Sequence, residues 1–135
     1  MSREFSTNLR RVWIAALVLY WCALVAGTHW PKMPAIGPHN FDKVLHFTAY
    51  GGLMTLLSAA IIWGKPAPWR TYLAIFIGLA IFGGLDELTQ PPFGRTADWF
   101  DWFADVSGLT FGLFVAVGVN WIIARWILPR PQPPQ

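Results

Sequence analysis

Three short stretches carry residues whose types and spacing could do chemistry. In "NFDKVLHFTAY", Asp42, His46 and Tyr50 are four apart, so on a helix they form one stripe. In "GLDELTQ", Asp86 and Gln90 are four apart, and Glu87 lies three before Gln90. In "TADWFDWFAD", Asp98, Asp101 and Asp105 follow one another at helical spacing, again on one face. Of the seven Asp and Glu in the chain, five lie between Gly83 and Asp105, so the carboxylates are concentrated rather than scattered over a solvated surface. Carboxylates beside an imidazole suit proton exchange or cation binding.

Local structure accounts for some of these residues but not all. Asn40 can cap a helix beginning at Phe41, and Asp42 in its first turn suits the helix dipole, so Asp42 has a structural explanation as good as a functional one. Thr96 or Asp98 can cap the following helix, with Asp101 in its first turn. Asp105 lies a turn too deep for that role, and Asp86 and Glu87 stand at a helix C-terminus, where negative charge opposes the dipole. His46 and Tyr50 sit inside an apolar run and must find polar partners. Pro91 and Pro92 end the preceding helix, and "FGRTAD" turns the chain. Arg95 in that turn can fork onto a carboxylate or phosphate, or simply tie the loop to Asp86 or Asp98.

The elements that position these residues follow from hydropathy. The 135-residue chain is 55% hydrophobic and 13% charged, half the charge of an ordinary soluble domain. Four apolar runs, Val12–Gly27, Leu45–Trp63, Thr71–Leu85 and Phe103–Leu128, are suited to crossing a hydrocarbon core of about 30 Å as helices. The third is expected to continue through Asp86 and Glu87. The fold expected is therefore all-α, an integral-membrane bundle of four transmembrane helices forming one domain over 1–128, with 129–135 a disordered Pro-rich tail. The first run, preceded by Arg10 and Arg11, has features of a signal peptide, but its length favours a retained helix. Cys22 has no partner within the chain, which excludes an internal disulfide and leaves packing as its expected role. Trp13, Trp30, Trp63, Trp69, Trp99, Trp102 and Trp126 fall near the ends of the runs and read as headgroup-level anchors. Gly108 and Gly112 form a small-xxx-small pair that lets helix backbones approach closely.

Four spans place both termini on one side. That side carries Arg3, Arg10, Arg11, Lys65, Arg70, Arg125 and Arg130 against Lys32, Lys43 and Arg95 opposite, which makes both termini cytoplasmic by the positive-inside rule. The same asymmetry explains the net charge of +3 without a nucleic-acid partner. The outer end then holds six of the seven carboxylates, His29, His39 and His46, and it is where chemistry should be sought. Asp42, Asp86, Glu87, Asp98, Asp101 and Asp105 outnumber Lys32, Lys43 and Arg95 there. Two arrangements relieve such an excess: one or two carboxylates keep a proton, or a divalent cation sits among them. A set of His46, Asp86 and Asp101 could chemically hold a metal, although it lacks a recognised spacing motif.

The ordered blocks "DKVLHFTAY", "GLDELTQPPFGRTADWFD" and "DWFADVSGLTFG" resemble the VanZ-like family of small bacterial membrane proteins, from Phe41 to about Gly112. The first block matches D-K-x-x-H-F-x-x-Y, the second an acidic pair followed by x-x-Q and, after a short loop, Arg. The third matches D-x-x-x-[ND]-x-x-G-x-x-x-G. By resemblance Asp42, Lys43, His46, Tyr50, Glu87, Gln90, Arg95, Asp101, Asp105, Gly108 and Gly112 carry over. Many members have Asn in place of Asp105, so the resemblance does not require a charge there. The family is named for a determinant of resistance to teicoplanin-type glycopeptides, which act at the outer envelope. It implies a multi-pass protein of the bacterial cytoplasmic membrane, with its functional face outside.

Together these readings make His46, Asp86, Glu87, Asp101 and Asp105 the candidate reactive groups. Asp42, Lys43, Tyr50, Gln90, Arg95 and Asp98 are the candidate binding groups for a lipid-linked or anionic cell-wall component. The alternatives are a non-catalytic protein that grips an envelope molecule or a partner membrane protein, and a small proton or cation pathway. The apolar inner halves of the runs argue against the pathway.

Overall fold

The computed structural model describes residues 3–31, 41–63, 65 and 67–127. Lys32, His39, Asn40 with its expected cap, and the tail at 129–135 lie outside the described residues. Four helices run in order: α1 (Arg3–His29), α2 (Phe41–Ile62), α3 (Trp69–Thr89) and α4 (Trp99–Ile122). A 3₁₀ turn at Pro91–Phe93 precedes α4, and a π-helical turn at Ile123–Ile127 follows it. Each helix is long and apolar enough to cross a membrane, which fits a multi-pass membrane protein. Their outward faces carry large apolar side chains, including Leu19, Ile81 and Phe114, as contact with lipid tails requires.

The helix ends are set locally. α3 runs on through Asp86 and Glu87 as expected and stops before Pro91, whose ring cannot continue the ladder. Gly94 closes the turn at a φ of 78°, which glycine tolerates without a Cβ clash. Asp98 is the N-cap of α4, its carboxylate accepting from the Phe100 amide at 2.9 Å. Trp63 leaves α2 in the left-handed region at a φ of 44°. Its buried indole holds it there by packing edge-on against Trp13 and donating to Ser6 Oγ.

α2 is the central helix, and α4 lies closest to it. Gly108 faces the Phe47 carbonyl oxygen and Gly112 faces the Gly51 carbonyl oxygen, with no room for a side chain at either position. Thr55 Oγ1 donates to the Gly51 carbonyl at 2.9 Å and also lies 3.3 Å from that of Gly112, linking the two helices through a shared hydroxyl. One turn inward from the polar residues, Leu53, Met54, Leu79 and Leu109 fill the interior. α1 attaches to α2 through Trp13 Nε1 on the Leu56 carbonyl (3.0 Å) and Tyr20 Oη on the Ala49 carbonyl (2.9 Å).

Two expectations change. Trp63 is buried, and the half-buried Trp13 and Trp102 donate to carbonyls of neighbouring helices, so these three tie the bundle together rather than anchor it at the headgroups. Cys22 faces outward from α1 instead of packing in the interior.

If the glycine contact sets the α2–α4 distance, Gly108→Val should lower thermal stability in detergent micelles by about 1–3 kcal/mol or more through overpacking. Gly78→Ala, at a helical position with nothing near its missing Cβ, should leave the melting temperature unchanged or slightly raised.

Candidate functional site

The up-and-down order gathers the C-termini of α1 and α3 and the N-termini of α2 and α4 at one end. Contacts there join Thr28 to Asp86, Lys43 to Asp98 and His46 to Asp105. The close crossing of α2 and α4 puts His46 one residue before the Gly108 contact at Phe47, facing Asp105, which is one turn earlier on α4. His46 Nδ1 and Asp105 Oδ1 are 2.8 Å apart. The same nitrogen lies 3.9 Å from Glu87 Oε1, and Nε2 lies 3.9 Å from Asp101 Oδ2. His46, Glu87, Asp101 and Asp105 are all buried.

Adjacent residues on a helix point about 100° apart, and this divides the acidic pair of α3. Glu87 turns toward α2 and α4. Gln90 Nε2 donates to its Oε1 at 2.8 Å and the Asp98 amide to its Oε2 at 3.1 Å, so both oxygens are held. Asp86 turns toward α1, where Thr28 Oγ1 donates to its Oδ1 at 3.0 Å and His29 Nδ1 stands 3.6 Å away. Between the two lies Gly83, over which Asp105 Oδ2 and the Tyr50 ring both crowd, at 3.1 Å from where a Cβ would stand. Tyr50 Oη, Asp86 Oδ2 and Asp105 Oδ2 are buried and meet no hydrogen-bonding partner among the described residues.

Lys43 caps the cluster on its solvent side, reaching Asp101 at 2.8 Å, Asp98 at 3.1 Å and Asp42 at 3.7 Å. Asp98, at the loop edge, is held below its ordinary value by the Phe100 amide and by Lys43. A cavity of about 320 Å³ opens beside the cluster between α1 and α2. Leu24, Leu45 and Ala49 give it an apolar wall, while Thr28, His46 and Tyr50 supply polar groups and Asp42 and Arg95 also line it.

The structure thus brings together His46, Glu87, Gln90, Asp101 and Asp105, with Lys43 and Asp98 on top. Tyr50 is fully buried beside Asp105. Three candidates are placed differently from the sequence expectation. Asp42 is exposed and touches only the Lys43 ammonium among the ion pairs described. Arg95 makes no ion pair with Asp86 or Asp98 among the described residues and instead donates to the Gly27 carbonyl at 3.4 Å, tethering the loop to α1. Asp86 belongs to the α1 side, so the compact metal-compatible set is His46, Glu87 and Asp105 rather than His46, Asp86 and Asp101. Thr28, His29 and Thr89 were not singled out as site residues. His29 Nε2 meets Thr89 Oγ1 at 3.0 Å, and only the seating of α1 against α3 brings them together. The available signal was a hydroxyl and an imidazole at the C-terminal end of the first apolar run.

No protein-family model, curated protein or solved structure matches the chain. Its site is a buried imidazole–carboxylate cluster at one end of a helical bundle, beside a cavity of mixed polarity.

Two outcomes follow. His46→Gln and Asp105→Asn should each destabilise the protein in micelles, and the double variant should cost less than their sum by about 0.5–3 kcal/mol in a double-mutant cycle. Because Asp98 is depressed when folded, its contribution is present above the unfolded aspartate value of 3.8 and is lost as pH falls through the lower folded value. Melting temperatures measured across that acidic window should fall less steeply in Asp98→Asn, which keeps a capping side chain but loses the charge facing Lys43.

Proposed function

We propose that this chain is a VanZ-like membrane protein of the bacterial cell envelope, whose polar outer end binds an anionic, lipid-linked component and exchanges a proton with it. The observation that carries the reading is the meeting of a buried His46–Asp105 pair with a cavity whose walls are apolar and whose lining includes Arg95. An apolar chain fits against Leu24, Leu45 and Ala49, and a phosphate or carboxylate fits the guanidinium of Arg95, which has no carboxylate partner among the described residues. His46 lines the same cavity and is backed by Asp105, the arrangement of an oriented acid–base group. Glu87, held at both oxygens, and Asp101 flank it.

Residues of all three blocks behind the family resemblance converge here, His46 and Tyr50 from the first, Glu87 and Gln90 from the second, Asp101 and Asp105 from the third, while Gly108 and Gly112 of the third make the α2–α4 contact below them. That convergence supports treating them as one motif. The orientation rests on charge. Arg10, Lys65, Arg70 and Arg125 lie at the end away from the cluster, and by the positive-inside rule this supports cytoplasmic termini and a site on the outer face. A through-membrane ion path is disfavoured by the apolar plug of Leu53, Met54, Leu79 and Leu109 beneath the cluster.

The test compares envelope lipids and cell-wall precursors, by mass spectrometry, in bacteria expressing the unaltered protein or a folded, equally abundant Glu87→Gln, His46→Gln double variant. A lipid-linked species that changes in amount only with the unaltered protein is expected and would name the substrate. Identical profiles, together with no anionic lipid co-purifying with the unaltered protein, would overturn the reading. Co-purification without any change in the profiles would leave binding and remove the proton exchange.

A further inference from the structure

We infer that His46, Glu87 and Asp105 form a binding site for one divalent transition-metal ion, of the Zn²⁺ or Mn²⁺ class. One ligand atom from each residue lies within 4.8 Å of the other two, and all three residues are buried. Bonds of about 2.0–2.2 Å hold the ligand atoms of a tetrahedral ion about 3.3–3.6 Å apart, so a set spread over at most 4.8 Å must draw in by up to about 1.5 Å, within reach of side-chain rotation. The three side chains come from α2, α3 and α4, and each is fixed by a different element.

The surroundings have the features of a metal site's outer shell. Glu87 is oriented by Gln90 Nε2 and the Asp98 amide. Asp101 Oδ2 stands 3.9 Å beyond the far nitrogen of His46, on the side from which a carboxylate would orient a ligating imidazole once drawn in, and Asp101 is itself held by Lys43. The second, independent observation concerns groups that none of these contacts use. Tyr50 is completely buried, yet its hydroxyl has no described partner, and its ring shares the Gly83 cradle with the unpartnered Asp105 Oδ2. Leaving such an atom unmade costs about 1–3 kcal/mol, so two of them at one spot suit an occupant that can engage oxygen. A cation with its bound water or substrate oxygen does so, and it also offsets the negative charge of Glu87, Asp105 and the neighbouring Asp86.

The donor set selects the ion. An imidazole nitrogen suits Zn²⁺ and Mn²⁺ better than Ca²⁺ or Mg²⁺, which prefer all-oxygen shells, and the absence of a thiolate from the set argues against soft ions. Three protein ligands leave coordination positions open, and of the three His46 lines the cavity through which an anionic headgroup would approach. The inference rests on the envelope reading for the headgroup that the cation would hold, and it replaces the proton exchange there, because a His46 nitrogen bound to metal is no longer a free acid–base group; its test uses no lipid.

Full-length, tag-free protein in detergent micelles, stripped with a chelator, is dialysed against Mn²⁺ or Zn²⁺ and analysed for bound metal. One ion per chain is expected, with affinity at least about tenfold weaker in His46→Gln, Glu87→Gln and Asp105→Asn, and unchanged in His29→Gln. Should the ligand variants fail to fold, electron spin-echo spectroscopy of Mn²⁺ on chain with both other histidines changed (His29→Gln, His39→Gln) decides. Coupling to one imidazole nitrogen upholds the site, and its absence overturns it. No stoichiometric ion, affinity indifferent to the three ligand changes, or tighter binding of Ca²⁺ than of Mn²⁺ would also overturn it. A bound envelope lipid without a metal would leave the proposed function standing and sink this inference alone.

Discussion

The backbone contact between α2 and α4 is the constraint on which the rest of the structure depends. Gly108 lies against Phe47 and Gly112 against Gly51, each at a carbonyl oxygen, so the helices touch without intervening side chains. Lipid tails are as apolar as leucine, so a helix pair in a bilayer gains little from excluding them, and close packing supplies the attraction instead. The contact also sets register. With Phe47 on Gly108, His46 must face Asp105 and Tyr50 must lie beside it, and a one-residue slip would turn the imidazole out of the cluster.

Around that pair the bundle collects more buried acid than buried base. Asp86, Glu87, Asp101 and Asp105 are all withdrawn from solvent, with His46, His29 and Lys43 as the cations or potential cations that touch them. Burial of charge is tolerated where pairing and hydrogen bonding are complete, and here pairing is uneven. Glu87 has both oxygens bonded, whereas Asp86 and Asp105 each keep one buried oxygen unpartnered among the described residues. The unevenness falls beside the cavity, while directly beneath the cluster the bundle is filled by well-packed apolar side chains such as Leu53 and Leu109.

α1 plays a different part from the other helices. Its interior-facing surface is sparse, with Leu17 and Leu24 its buried apolar residues, and it is fastened to α2 by two aromatic side chains donating to carbonyls. It supplies one wall of the cavity and, through Thr28 and His29, the partners of Asp86. α1 thus packs on α2 far more sparsely than α4 does.

Much was determined by the sequence alone. Four apolar runs, the Pro91–Pro92 stop, the Asp98 cap and the Gly108–Gly112 pair are local signals, each read from one stretch of chain, and all were legible. The end at which the polar residues gather was legible too, since an up-and-down helix order carries linear position directly into depth. The partnerships were not. Asp86 and Glu87 are neighbours in sequence but serve different helices, because about 100° of rotation separates them and α3 touches both α1 and the α2–α4 pair. Arg95 sits beside carboxylates in sequence yet ends on the Gly27 carbonyl, since the loop's path follows from where α1 stops. Trp13, Trp63 and Trp102 looked like boundary residues until neighbouring carbonyls or rings were found within reach. Hydropathy and helical period are properties of a segment, whereas a partner's identity depends on how whole helices are rotated and seated, and only the tertiary structure decides that.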